Sequence, residues 1–187
     1  MNTPAHVVIN LLVLSRNPNH RKSLAIVAGA LIPDMVIIVF YGWHKLIGTA
    51  ERQIWSIEYY QPFWQGWIDS FNSIPLILLA MLLCWKMRLP ILLLLLTSML
   101  LHTFGDLPLH HDDGHGHFFP FSDWHFVSSI SYWDPGHYGD WVGKIEFALV
   151  VAASTYLCYA KPVLRVWIIP SLLIYLCYWV YVMLVWS

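Results

Sequence analysis

Charged residues are scarce in this chain of 187 residues: they make up 11% of it, while 58% of the residues are hydrophobic. Soluble domains carry about 25% charged residues, so this composition excludes an ordinary water-soluble globular fold. The chain has 10 basic and 11 acidic residues, so it lacks the excess of positive charge that is typical of nucleic-acid-binding proteins. We therefore expect no nucleic-acid partner. Together with several long apolar runs, these shortages predict an integral membrane protein.

Cysteine is also rare, since only Cys84, Cys158 and Cys177 occur and each lies in an apolar run. Their odd number argues against a disulfide framework, and we interpret them as small hydrophobic residues. The chain has no Gly-x-Ser-x-Gly sequence, and its cysteines lie far from histidine. A hydrolase that uses a serine or cysteine nucleophile is therefore poorly supported.

Apolar runs of about 20 residues can cross the hydrocarbon layer of a membrane, whereas runs of about 10 to 14 cannot. The chain is therefore predicted to be an all-α, polytopic membrane helix bundle with about five transmembrane helices, forming a single domain over residues 1–187. An N-terminal half-span at 7–14 and an interfacial amphipathic segment at 50–73 complete the prediction. The predicted spans are 24–43, broken in its middle by Pro33-Asp34, then 71–85, 89–104, 145–160 and 166–186.

Basic residues cluster in three short connections between these spans. Alternation of five spans places all three connections on one side, and cytoplasmic loops are the ones that retain Lys and Arg. We therefore expect a multi-pass protein of the inner (cell) membrane with the loop at 105–143 on the non-cytoplasmic side. The connections carry seven of the ten basic residues: Arg16, Arg21 and Lys22, then Lys86 and Arg88, then Lys161 and Arg165.

The outer loop at 105–143 is rich in histidine and aspartate. Seven of the ten histidines fall between His102 and His137, aspartates are interleaved with them, and no Lys or Arg occurs between Arg88 and Lys144. Imidazoles and carboxylates without competing cations are ligands for Zn²⁺, Mn²⁺ or Fe²⁺. A merely polar loop whose histidines scavenge metal weakly would have the same composition, so both interpretations stay open for the loop taken alone.

Ionisable residues within or at the edge of the predicted spans are stronger candidates, because a charge in hydrocarbon usually faces a cavity or a partner. At about 1.5 Å of rise per residue, five of them reach one layer about 15–25 Å above the cytoplasmic connections. Asp106 follows His102 by four residues and would share its helix face if the helix persists through Gly105. The alternative is that these residues do not share a site. Asp34 would then pair with a nearby Ser or backbone group at Pro33, and the Glu146 side chain would snorkel to the membrane surface. The five residues are His6, Asp34, Asp69, His102 and Glu146.

Five short motifs occur in order over most of the chain. They are Pro4-Ala5-His6, Gly29-Ala30-Leu31-Ile32-Pro33-Asp34, His102-Thr103-Phe104-Gly105-Asp106, Phe118-Phe119-Pro120-Phe121-Ser122, and Glu146 at the start of a late span. In order and spacing they resemble the bacterial membrane-bound metal-dependent hydrolase family, and they are more distantly similar to zinc-dependent phospholipase C. The resemblance implies a set of metal ligands, namely His6, Asp34, His102 and Asp106, with Glu146 as a further candidate.

One segment departs from the pattern of that family. The family usually carries Arg-Gly-Phe-Thr-His-Ser ahead of its second span, and the nearest match here is Gly66-Trp67-Ile68-Asp69-Ser70. The resemblance places Asp69 at the position of the family's histidine, which preserves a metal ligand. The His-Arg pair that precedes this segment in the family is missing.

These features predict a membrane-embedded, metal-dependent hydrolase that acts on an amphipathic or lipid-linked ester, with a phosphoester favoured. Its cofactor would be a divalent metal, with Zn²⁺ favoured over Mn²⁺ or Fe²⁺, and its surroundings membrane lipid. Residues that do not bind metal would transfer protons, and the candidates are Asp112, His110 and His117. The alternative is a non-catalytic membrane metal-binding protein, either a transporter with a discontinuous helix at Pro33 or an assembly scaffold.

Overall fold

The computed structural model describes residues 1–186, which fold into helices and connecting loops without a β-strand. Four helices are long and apolar enough to cross a membrane, or five if α4 and α5, which meet at a 46° bend, form one span. The predicted all-α class is thus confirmed, and the four or five long apolar helices agree roughly with the prediction of about five. The helices are α1 (Thr3–Leu14), α2 (His20–Leu46), α3 (Glu51–Gln53), α4 (Pro62–Asn72), α5 (Ile74–Lys86), α6 (Pro90–Asp106), α7 (Gly139–Ala160) and α8 (Arg165–Trp186).

Helix α1 is the predicted half-span, and it packs in the middle of the bundle. Its 12 residues rise only about 18 Å, and it contacts α2, α6, α7 and α8. Val7 and Leu11 are buried in one apolar cluster with Ile26, Leu157 and Ile168. Because α1 is surrounded by other helices, its polar side chains are buried as well.

A buried ladder of hydrogen bonds fixes α1, α2 and α6 against one another. The Asn10 side-chain amide donates to both the carbonyl and the hydroxyl of Ser98 at 2.8 Å, and the Ser98 hydroxyl donates to the Ile26 carbonyl at 2.6 Å. Buried polar groups need such partners, so the ladder sets the register of the three helices. Side chains four residues apart lie on one helix face. One turn beyond the ladder therefore lie His6, Ala30 and His102.

The expected break at Pro33-Asp34 is wrong, because α2 continues through it from His20 to Leu46. Proline removes one backbone donor and crowds the carbonyl four residues earlier, here that of Gly29. Dense packing between α2 and α6 holds the helix together across this defect. Asp34 consequently lies on a continuous helix.

Helix α4 and its bend into α5 form the amphipathic segment expected at 50–73. Ile68, Asp69 and Asn72 are buried on one face, while Phe63 and Trp67 are exposed on the other. The buried face packs on α2. The outer loop is attached to the bend between the two helices.

The loop at 107–138 has no long helix, but it is fastened to the bundle by hydrogen bonds. The backbone N–H of Ile74 donates to the His117 carbonyl at 2.9 Å, and the Ser73 hydroxyl donates to the Phe119 carbonyl at 2.5 Å. Ser73 also caps the first turn of α5. These bonds hold the histidine-rich part of the loop over the end of α6.

Two of the basic connections meet at the opposite end of the bundle. The ammonium group of Lys161 donates to the carbonyl and the hydroxyl of Ser15, which ends α1. His6 lies nine residues earlier on the same helix, about 14 Å away along its axis. The structure thus separates these connections from the candidate ligands, as the sequence-based heights predict.

Gly29 lies where α2 and α6 cross most closely. A Cβ atom built on Gly29 would meet the Leu95 carbonyl and would lie 2.7 Å from the Ser98 Cβ atom. We expect Gly29→Ala to lower the free energy of unfolding by about 1–3 kcal/mol, because it forces the two helices apart. Thermal unfolding in detergent measures this as a fall in Tm of about 2–4 °C per kcal/mol.

Gly42, in the same helix, is the matched control. A Cβ atom there meets nothing within 4 Å, so Gly42→Ala should stabilise the helix by up to about 1 kcal/mol. Equal Tm values for the two variants would contradict the close crossing at Gly29.

Candidate metal centre

Three buried side chains converge where α1 meets the end of α6. One ligand atom each from His6, His102 and Asp106 lies within 4.8 Å of the others. Helix α6 persists through Gly105, so His102 and Asp106 share a face and their Nε2 and Oδ2 atoms lie 3.1 Å apart. These residues, which we call the first group, offer two imidazoles and a carboxylate to a metal ion.

The tautomer of His102 suits metal binding. Its Nδ1 atom lies 2.8 Å from the Ala30 carbonyl oxygen, and because a carbonyl only accepts, Nδ1 carries the proton. In the neutral ring Nε2 then presents its lone pair, and it makes no hydrogen bond although it is fully buried. Metal-binding histidines commonly donate their other N–H to a carbonyl in this way.

Asp34 lies next to the first group. Its Oδ1 atom is 3.4 Å from the Nε2 atom of His102, without a hydrogen bond between them. The Nε2 atom of His102 thus faces two carboxylates, those of Asp34 and Asp106, an arrangement that favours either a proton on Nε2 or a metal cation between the three groups. Asp34 is therefore placed to complete the coordination of an ion held by the first group.

His6 reaches the site because α1 lies close to the end of α6. Its Nε2 atom lies 2.9 Å from Asp106 Oδ1, and its ring stacks on that of His102 with centroids 3.6 Å apart. The absence of a side chain at Gly105 leaves room for His6, since a Cβ atom there would lie 3.4 Å from the His6 ring. The amino group of Met1 also contacts Asp106.

A second group forms on the other side of Asp106, from residues of the outer loop. Ligand atoms of Asp106, His110 and His115 lie within 4.8 Å of one another, and all three side chains are buried. His110 also lies 3.1 Å from the carboxylate of Asp113. Because Asp106 belongs to both groups, its carboxylate could help to hold an ion in each of them.

The loop histidines of the second group differ in their protonation. Burial lowers the pKa of His115 to about 3, and its neighbour His110 adds to the effect, so His115 is neutral. Burial also acts to lower the pKa of His110, but Asp106 and Asp113 outweigh it and raise the value to about 9. His115 is thus a ready ligand, whereas the carboxylates around His110 attract positive charge.

Both groups border one cavity of about 140 Å³. It reaches from the start of α1 and the middle of α2 to the outer loop. The second group lines it with all three of its residues and the first group only through the shared Asp106, so a small molecule in the cavity would lie next to the carboxylate that both groups share. The lining residues are Met1, Asn2, Thr3, Asp34, Ile37, Ile38, Asp106, His110, His115 and Tyr132.

Asp69, predicted as a ligand, lies outside both groups and supports the loop instead. Its Oδ1 atom accepts a 2.7 Å hydrogen bond from the backbone N–H of Gly116. A Cβ atom at Gly116 would lie 2.8 Å from the Asp69 carboxylate, so only glycine fits this approach. Asp69 thereby positions His115 and His117, which flank Gly116.

Glu146, also predicted as a ligand, anchors the start of the chain. Its carboxylate accepts bonds from the Asn2 side-chain amide at 2.7 Å, the Asn2 backbone N–H at 3.3 Å and the Tyr175 hydroxyl at 3.0 Å. These bonds hold the first turn of α1 in place, four residues before His6.

The three predicted proton-transfer residues have different surroundings. His110 belongs to the second group, and Asp112 is exposed on the loop surface. His117 is 2% exposed, makes no side-chain hydrogen bond, and its ring centroid lies 6.1 Å from that of His115. His115 is not among the ligands predicted from the sequence, although the pair His115-Gly116-His117 is a sequence signal that indicates it as a candidate ligand.

Comparisons of this chain with protein-family models, with curated proteins and with solved structures find no match.

The shared carboxylate predicts how bound metal changes on substitution. We expect about two equivalents of divalent metal in the purified protein, none after Asp106→Asn, and one after either His6→Ala or His115→Ala. Elemental analysis of detergent-purified, metal-loaded protein measures this. His44→Ala is the control, since His44 is buried but belongs to neither group. Full metal content in Asp106→Asn would contradict the shared site.

The close approach at Gly116 predicts a selective effect on the second group. Gly116→Ala should push the loop away from Asp69 and remove the ion bound through His115 while sparing the one bound through His6. Metal analysis of this variant should give about one equivalent. Gly66→Ala, on the same helix as Asp69, has nothing within 4 Å of its added Cβ atom and should keep both ions. Two retained equivalents in Gly116→Ala would exclude the positioning role.

Proposed function

We propose that this protein is a membrane-embedded, metal-dependent hydrolase of an amphipathic or lipid-linked ester, with a phosphoester favoured. The observation that carries the proposal is the pair of buried ligand groups joined by Asp106 at the edge of a cavity. Pairs of metal ions about 3.5–4 Å apart are typical of phosphatases and nucleases. Mixed imidazole and carboxylate ligands favour Zn²⁺, with Mn²⁺ or Fe²⁺ as alternatives.

Membrane insertion is part of the proposal and is supported by the outer surface of the bundle. Helix α8 exposes apolar side chains on the face turned away from α1 and α7, with Val166, Leu173, Ile174 and Val180 each more than half exposed. Such a continuous apolar surface is covered in a membrane. We extend the proposal to the inner membrane, with the cavity on the non-cytoplasmic side, because basic connections are typical of the cytoplasmic side.

The residues around the cavity divide the work of hydrolysis. Divalent cations there would supply Lewis acidity and an activated water. The carboxylate of Asp106 and the imidazoles of both groups would hold them, with Asp34 adjacent to the first. His117, which lies behind the lining residue His115 and is buried without a side-chain hydrogen-bond partner, is the proposed proton carrier.

The resemblance to the membrane-bound metal-dependent hydrolases adds support, since the four residues that it implies as ligands lie close together and two of them, Asp34 and Asp106, line this cavity. Asp69 and Glu146 take the supporting roles that their contacts give them, the first under the loop and the second under α1. The transporter alternative loses its main argument, because α2 is continuous at Pro33. A metal-binding scaffold remains the competing function.

Hydrolysis by purified protein is the direct test. The metal-loaded protein in detergent should release product from an amphipathic phosphoester. Asp106→Asn should lower the rate at least about a hundredfold, because substitution of a residue that only hydrogen-bonds to a metal ligand already lowers activity about ten- to hundredfold. His44→Ala should retain the rate. A protein that holds metal but hydrolyses none of a panel of lipid phosphoesters and carboxylic esters would be a scaffold, and metal uptake into proteoliposomes would make it a transporter.

A further inference from the structure

The cavity has walls of opposite character. Asp34, Asp106 and His110 form an ionisable wall, while Ile37 and Ile38 of α2 form an apolar one. Ile38 is 50% exposed, so the apolar wall extends to the outer surface of the bundle. A molecule in the cavity therefore has an apolar exit sideways, between α2 and the first turn of α1.

The outer surface of α2 continues this apolar wall. Met35 and Val39, next to Ile38 on the helix, are 44% and 57% exposed. Helix α2 is also one of those long and apolar enough to cross a membrane. A hydrocarbon tail can lie along this strip while its polar head reaches the ligand groups.

The size of the cavity restricts what the polar head can be. Pockets for drug-sized molecules usually measure about 300–1,000 Å³, whereas this one measures about 140 Å³. A bare phosphate group fits this space, but a phosphate that carries a second, bulky alcohol on its far side does not. The cavity thus favours a monoester over a diester.

Tyr132 provides a neutral donor at the cavity. It lines the space, and its ring lies 5.2 Å from that of His110. A phenol is protonated at neutral pH, so Tyr132 can donate a hydrogen bond to a phosphate oxygen.

We propose that the cavity binds the terminal phosphate of a lipid phosphomonoester, which enters sideways from the hydrocarbon layer past Ile38, with Tyr132 donating a hydrogen bond to the phosphate. The inference rests on the proposed hydrolase function, because Asp34 and Asp106 repel a phosphate unless cations lie between them. Water adds to phosphorus, the bond from phosphorus to the lipid oxygen breaks, and that oxygen takes up a proton. The products are inorganic phosphate and the lipid alcohol, without any redox step.

Three substrates test the inference with the metal-loaded full chain. Dioleoyl phosphatidic acid should be hydrolysed at least tenfold faster than dioleoyl phosphatidylglycerol, which has a bulky second alcohol, and than glycerol 3-phosphate, which has no tail. Comparable rates on the diester or on the tailless ester would overturn the inference and leave the hydrolase intact. Hydrolysis of none of the three, nor of any other ester, would overturn the hydrolase itself.

Binding at the sideways entrance can be measured without turnover. Native mass spectrometry with a non-hydrolysable dioleoyl phosphonate should show at least tenfold weaker binding to Ile38→Trp, while metal content stays unchanged. Leu173→Trp, on the exposed surface of α8 and not lining the cavity, should bind within about twofold of the unmodified protein. Equal binding to both variants would exclude the entrance at Ile38.

Tyr132→Phe removes only the donor hydroxyl. We expect at least tenfold weaker phosphonate binding with both metal equivalents retained. Tyr138→Phe is the control, because Tyr138 is 64% exposed and does not line the cavity. Unchanged phosphonate binding by Tyr132→Phe would remove Tyr132 from the proposal.

Discussion

A carboxylate buried at the end of an apolar helix is costly unless positive charge or hydrogen bonds compensate it, and Asp106 is such a group, at 2% exposure. Its oxygens lie 2.9 Å from His6 and 3.1 Å from His102, and His110 approaches to 3.6 Å from the loop. Every other element of the site is arranged around this carboxylate. The imidazoles that surround it also make Asp106 the shared member of two groups that could hold a metal ion.

Two independent structural units deliver imidazoles to Asp106. The ladder through Asn10 and Ser98 fixes α1, α2 and α6 and sets the first group one turn above it. The outer loop is held by Asp69 and by the bend between α4 and α5, and it sets the second group. Different parts of the chain therefore position the two groups, although both groups include Asp106.

Much of the site was predictable from residue type and helix geometry. Heights counted at 1.5 Å per residue placed His6, Asp34 and His102 in one layer, and the structure brings them together. The same heights also selected Asp69 and Glu146, which face other partners. Height along a helix says nothing about rotation around the bundle axis, and this is why those two residues were assigned as ligands from the sequence.

By itself, the sequence determined an all-helical fold with long apolar helices, because composition and run length depend only on local chemistry. It also identified where imidazoles and carboxylates concentrate. Only the tertiary structure decided that α2 runs straight through Pro33 and that the loop folds back to bring His115 to Asp106. These outcomes depend on packing between segments distant in the chain, which no local pattern of residues records.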